Sequence, residues 1–147
     1  VRKGYFPLQT KEDIMGKINL FTLLTAVITQ FIVGYLWFGS HLFGDVMTAG
    51  GHGVDFLKLD VVSMLLLVLS GYGLTHVLGT LIKAMGVKDI GGITKLGLTV
   101  GGFAIGLPVT VLLNLMGFGH IVLLVIFTYL VLITILTGIV VMKTKNS

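Results

Sequence analysis

The chain has no cysteine among its 147 residues. That excludes disulfides, thiol catalysis, thiolate zinc sites and cysteine-ligated iron–sulfur clusters. Charge is scarce as well, at 11% of residues, where soluble domains carry about 25%. No charged side chain falls within any of four apolar runs, Ile18–Phe38, Val61–Ile82, Leu96–Met116 and Ile121–Met142. An ion or proton pathway usually displays an ionisable group at depth, so this absence argues against a proton-driven pump or a voltage sensor. No Ser-His-Asp order, paired carboxylates or phosphate loop is visible, and Gly71-Tyr72-Gly73 lies in an apolar run rather than a strand-to-helix turn.

What remains is oil. Hydrophobic residues make up 55% of the chain and the mean hydropathy is +1.06. Each run is 21 or 22 residues long. At ~1.5 Å per residue a helix of that length matches the ~30 Å hydrocarbon layer of a bilayer. The expected fold class is an all-α membrane protein, one four-transmembrane-helix bundle over residues 1–147. Residues 1–17 form a cytoplasmic lead, 39–60 form an outer loop, and no separate soluble domain is expected within these residues.

The net charge of +4 follows topology rather than nucleic acid. Arg2, Lys3, Lys11 and Lys17 precede the first run; Lys83, Lys88 and Lys95 separate the second from the third; Lys143 and Lys145 follow the fourth. Only Lys58 lies on the other side, giving nine basic residues against one. The positive-inside rule then places both termini in the cytoplasm. The basic residues also suit anionic lipid headgroups. The first run is too long, and lacks a small-x-small site after it, to read as a cleavable signal peptide.

Finer features follow. Thr10-Lys11-Glu12-Asp13 resembles a capping box, predicting a helix from about Lys11, with Tyr5 and Phe6 at headgroup level. Trp37, the only tryptophan, is placed as an interfacial anchor. Residues 40–47 predict a short surface helix, Gly50-Gly51-His52-Gly53 a turn, Asp60 a cap for the second span, and Gly117-Phe118-Gly119-His120 a tight outer turn. The fourth span is the most uniformly apolar and reads as the most lipid-exposed.

In the third span Gly97 and Gly101, and again Gly102 and Gly106, are four apart. Small residues at that spacing let helices approach closely. The plain reading is packing within the bundle; two such faces on one helix suggest more than one neighbour, and the sharper reading is a homo-oligomeric seam. Pro108 predicts a kink that frees a carbonyl near Ala104. Near the bilayer midplane lie Gln30, Ser70, Tyr72, Thr128 and Tyr129, with His76 in the inner third of its span and Asn114 near the end of the third. The first expectation for such groups is interhelical hydrogen bonding. The alternative is a polar path lined by Gln30, Ser70, Tyr72, His76, Asn114 and Tyr129.

No cofactor is expected. His76 is 16 residues from Asp60, ~24 Å inward by helix rise, so it cannot share a haem iron with His41 or His120. His76 is expected to donate to a neighbouring carbonyl. One outer metal set is conceivable, His41, Asp45, His52, Asp55 and His120, because imidazole and carboxylate suit zinc. No dense spacing motif supports it.

The stretch Trp37-Phe38-Gly39-Ser40-His41-Leu42-Phe43-Gly44 resembles the end of the first span in a bacterial family of small four-span membrane proteins known as a domain of unknown function. The family pattern there is Trp-Tyr-Ser-Pro-x-Leu-Phe-Gly. Trp37, Leu42, Phe43 and Gly44 match it, while Phe38, Gly39 and Ser40 depart from it. Asn114 and Tyr129 resemble the family's asparagine and last-span tyrosine. The family's Phe-Glu-Gly turn is replaced by Met116-Gly117-Phe118-Gly119. The resemblance implies a four-helix bundle in a bacterial inner membrane and transfers no activity.

Three functions fit these observations. The first is a non-enzymatic structural or accessory subunit, in contact with membrane lipids, that self-associates or joins a larger membrane complex. The second is a small oligomeric channel or transporter for an ion or small solute. The third is a lipid or quinone binder, with Tyr72 and His76 as its polar groups.

Overall fold

A computed structural model describes residues 19–53, 55 and 58–145. The predicted capping box and the aromatic pair Tyr5 and Phe6 lie outside the described residues. The chain is all-α, with four helices long and apolar enough to cross a membrane. They are α1 (Leu20–Phe38), α3 (Val61–Met85), α4 (Ile90–Leu115) and α5 (His120–Lys145); the short α2 (Gly44–Ala49) follows α1. This is a multi-pass integral membrane protein.

Caps set the helix starts. Asn19 accepts from the Thr22 amide at 2.7 Å, and Asp60 from the Ser63 amide at 2.6 Å, as the sequence predicted for Asp60. Asp89 accepts from the Gly92 amide at 2.7 Å, so α4 starts at Ile90, six residues before the apolar run from Leu96. α3 runs on to Met85 and stops at Gly86, whose φ of +62° admits a left-handed turn. The connection from α3 to α4 is thus four residues, 86–89, with Lys83 and Lys95 inside the helices; its end of the bundle is named inner and the opposite end outer, as labels only. At the outer end Gly117 (φ +88°) makes the predicted tight turn into α5.

α5 is the centre of the bundle, not its lipid-facing edge. It packs against α1, α3 and α4, and 33% of its most apolar window is buried, against 17% for α1 and for α3. Uniform apolarity reports a residue's solvent, and lipid and protein interior are equally apolar; the pattern therefore could not tell the hub from the rim. α1, α3 and α5 form a triangle, and α4 leans on α5.

Two clusters lock the ends. Leu78 and Ile82 of α3, Ile93 and Leu96 of α4, and Val141 and Met142 of α5 pack together at the inner end. At the outer end Met47 of α2 packs with Val122 and Val125 of α5, beside Trp37, Phe38, Phe43 and Phe118. The short helix therefore lies tucked over the bundle, starting four residues and ending two residues past the predicted 40–47.

Four glycines of α4 serve one contact. A β-carbon on Gly97 would strike Ile135; on Gly101 it would lie 2.7 Å from Thr134 Oγ1 and 2.9 Å from the Leu130 carbonyl. Gly102 abuts Val131 and Phe127, and Gly106 abuts Phe127. All four face α5 of the same chain. The reason is the winding: Leu98–Gly106 is a π-helix, and the wider turn brings positions 97, 101, 102 and 106 onto one side. The two faces predicted from α-helical spacing merge, and neither remains as a seam for a second chain. The π stretch ends just before Pro108, so the proline is met by rewinding of the preceding turns.

Candidate functional site

At mid-height one polar side chain ties three helices together. Gln30 of α1 donates through Nε2 to Thr137 Oγ1 of α5 at 3.0 Å and more weakly to Thr75 Oγ1 of α3 at 3.5 Å. Thr75 in turn donates to the Gly71 carbonyl at 2.7 Å, which leaves its oxygen lone pairs to accept from Gln30. Thr75 and Thr137 are wholly buried. Gly71 permits the approach, since a β-carbon there would come within 2.5 Å of Gln30 Oε1.

Outside this knot the bundle opens. In the outer half of α3, Val61, Val62, Met64, Leu65, Leu66, Val68 and Leu69 are all exposed. The last stretch of α4, Leu107–Leu115, has no buried residue. Joined at their inner ends and apart at their outer ends, α3 and α4 leave a cleft of about 320 Å³. α1 contributes Val27, Gln30 and Phe31, α3 contributes Met64, Leu67, Val68, Ser70 and Leu74, α4 contributes Ile105, and α5 contributes Tyr129, Leu130, Ile133 and Thr134. The lining is apolar apart from Gln30, Ser70, Tyr129 and Thr134. Small-molecule pockets run from about 300 to 1,000 Å³, mostly apolar with a few polar groups, so this cleft is the candidate site.

Its polar groups differ in what they have left to offer. Ser70 donates to the Leu67 carbonyl at 3.1 Å and Thr134 to the Leu130 carbonyl at 2.7 Å, both within their own helices. Gln30 Oε1 and the Tyr129 hydroxyl have no hydrogen-bond partner among the described residues. The Tyr129 ring is held by aromatic neighbours: Phe38 at 4.8 Å and Trp37 at 6.3 Å between centroids. Trp37 is itself fixed by its indole N–H, which donates to the Val125 carbonyl at 3.1 Å.

The polar residues predicted to share a path are dispersed. Gln30, Ser70 and Tyr129 border the cleft. Tyr72 and His76 turn away from it, stacked on each other at 6.0 Å, with Tyr72 half exposed. No hydrogen bond joins His76 to a carbonyl among the described residues. Asn114 is exposed at the outer end of α4, and Thr128 bonds to carbonyls of its own helix. Thr75, Thr134 and Thr137, which are buried in the core, did not stand out in the sequence; the signal was a lone glutamine needing partners at its own depth.

The outer metal set is likewise spread out. His41, Asp45 and His120 are exposed, His52 stacks on Phe118 at 3.8 Å, and Asp55 faces Lys58 at 3.9 Å. Among the described residues no three His, Cys, Asp or Glu side chains gather around a common point.

No protein-family model, no curated protein and no solved structure matches the chain. The resemblance carried by Trp37–Gly44, Asn114 and Tyr129 thus has no family match behind it; four long apolar helices agree with a small four-span membrane protein.

Proposed function

We propose that this is a non-enzymatic protein of a bacterial inner membrane, with both termini on the cytoplasmic side, and that it holds the long hydrocarbon chain of a membrane lipid or quinone in the cleft between α3 and α4. The observation that carries this reading is the cleft itself, apolar, walled by four helices and open where α3 and α4 part. Nine of ten basic residues on the side of the inner connection support the orientation. Mass spectrometry of the extensively delipidated protein tests the binding. A long-chain molecule should stay with the wild type and leave when Ile105→Phe fills the cleft. A protein that retains nothing, or whose retained lipid ignores Ile105→Phe, would sink the reading.

A second reading, an accessory subunit that self-associates, has its own support. The glycine row argued for it in the sequence, but that row is engaged by α5. The Tyr72–His76 pair now speaks for it. Two polar rings facing hydrocarbon lack partners that a second copy would supply at the same depth.

A further inference from the structure

Resting on that reading of the cleft, we propose that its ligand is a phospholipid with an ethanolamine head, drawn from the leaflet at the outer end of the bundle, with one acyl chain laid head-outward in the cleft. The depth of the cleft, its closed end and the charge above its mouth carry this assignment.

The depth matches one leaflet. On α3 the lining runs from Met64 to Leu74, ~15 Å by helix rise, which is half of the ~30 Å hydrocarbon core. Leu74 lies just past the middle of the 25-residue α3, and on α5 the lining ends at Thr134, just past the middle of that 26-residue helix. The cleft thus stops where an acyl chain stops, at the centre of the bilayer. Below it the bundle is shut. Gln30 bonds to Thr75 and Thr137 at the floor, and beyond them Leu78, Ile82, Ile93 and Leu96 pack together. A lipid of the opposite leaflet meets no opening there. The chain therefore enters from the outer end, with its ester uppermost and its methyl terminus at the Gln30 tie.

The head follows from charge. Asp60 is exposed and caps α3. It precedes Met64, the first lining residue of α3, by four positions, so it stands one turn above the cleft wall on the same face. Lys58 is the only lysine or arginine between α1 and α3, and it lies 3.9 Å from Asp55. An anionic glycerol head would face the Asp60 carboxylate with no uncommitted cation beside it. The ammonium of an ethanolamine head complements that carboxylate.

Photo-cross-linking in proteoliposomes tests both parts. The probes are phosphatidylethanolamine and phosphatidylglycerol, each with a diazirine either near the ester or near the methyl end of one chain, and labelled peptides are mapped by mass spectrometry. The ester-proximal probe should label Met64 and Val68, and the methyl-proximal probe Leu74 and Ile133. In equimolar membranes the ethanolamine probe should label the wild type about twofold to fivefold more than the glycerol probe, the scale of an exposed charge pair. Asp60→Asn keeps a capping oxygen without the charge and should bring that ratio to about one. Reversed or unordered labelling along the chain overturns the proposal. So does equal labelling by the two heads in the wild type, or a preference that survives Asp60→Asn. In each of those cases retention of a long-chain molecule on delipidation, lost with Ile105→Phe, still upholds the broader reading of the cleft, whereas its absence fails both.

Discussion

Gln30 Nε2 and Thr137 Oγ1 meet at 3.0 Å between helices whose residues are 107 positions apart in the chain. Among the described residues the amide is the one polar side chain that bridges α1, α3 and α5, and it sits where hydrocarbon surrounds the bundle. Interhelical hydrogen bonds of this kind average about 0.6 kcal/mol, with a maximum of about 1.7. Gln30→Leu removes two of them at similar side-chain volume. Unfolding in bicelles should show a loss of about 1–2 kcal/mol for Gln30→Leu, and a smaller loss for Thr137→Val, which removes only the shorter bond. Equal stability of Gln30→Leu and wild type would show that the amide is no tie.

The α4–α5 contact makes a sharper prediction. At Gly101 a β-carbon meets backbone, the Leu130 carbonyl at 2.9 Å, as well as Thr134. Backbone cannot swing aside, so α4 must move off α5. Gly101→Ala should cost about 1–3 kcal/mol, the range for overpacking. Gly73→Ala on α3 meets nothing within 4 Å and trades glycine for a better helix former. It should be neutral or slightly stabilising in the same assay. If both substitutions behave alike, the close glycine contact is not what holds α4.

Much of this architecture could be read from the sequence, and the exceptions share a cause. Helix number, the outer turn at Gly117 and the Asp60 cap all depend on local chemistry, where each residue speaks for itself. The role of α5 was hidden because Ile, Val and Leu are as suited to lipid as to a membrane protein's interior. The glycine row was visible as a packing device, and α5 of the same chain occupies it, in line with the plainer of its two readings. α-Helical spacing divides positions 97, 101, 102 and 106 between two faces, and only the π winding unites them. Of the candidate site, Gln30, Ser70 and Tyr129 stood out as polar groups at depth. The cleft joining them did not, because it arises from two helices separating, which no local pattern encodes.

Asp60 predicts a pH dependence. Hydrogen bonding from Ser63, its side chain first and its amide second, holds the carboxyl pKa below the usual value of 3.8. A carboxylate with a depressed folded pKa stabilises the cap at every pH above 3.8. That contribution declines as the pH falls through the lowered value and the group protonates. Hydrogen exchange at the first turn of α3 should therefore be protected at neutral pH and should accelerate, beyond the intrinsic pH effect, only below about pH 4. Asp60→Asn keeps a capping oxygen without a titrating proton and should abolish that acceleration. Persistence of the acid-induced fraying in Asp60→Asn would mean that another group controls the helix start.

The absence of cysteine makes the outward face of α3 directly testable. Tyr72 is half exposed and His76 lies one turn further along the same face, stacked on it at 6.0 Å. If two copies pair about an axis along the membrane normal, equal depths meet, and the hydroxyl of Tyr72 on one copy can reach the His76 ring of the other. Such pairing also brings together the two position-69 side chains, one turn along the same face and 63% exposed. Leu69→Cys, the only thiol in its chain, should then form a disulfide-linked dimer on mild oxidation in bicelles while both rings stay in place. Leu124→Cys, equally lipid-facing on α5 with 63% exposure, reports random collision. Preferential cross-linking at position 69 that falls when Tyr72→Leu or His76→Leu is added supports pairing through the two rings. Equal yields at 69 and 124 would leave the stacked rings facing lipid alone and would remove the remaining support for self-association through α3.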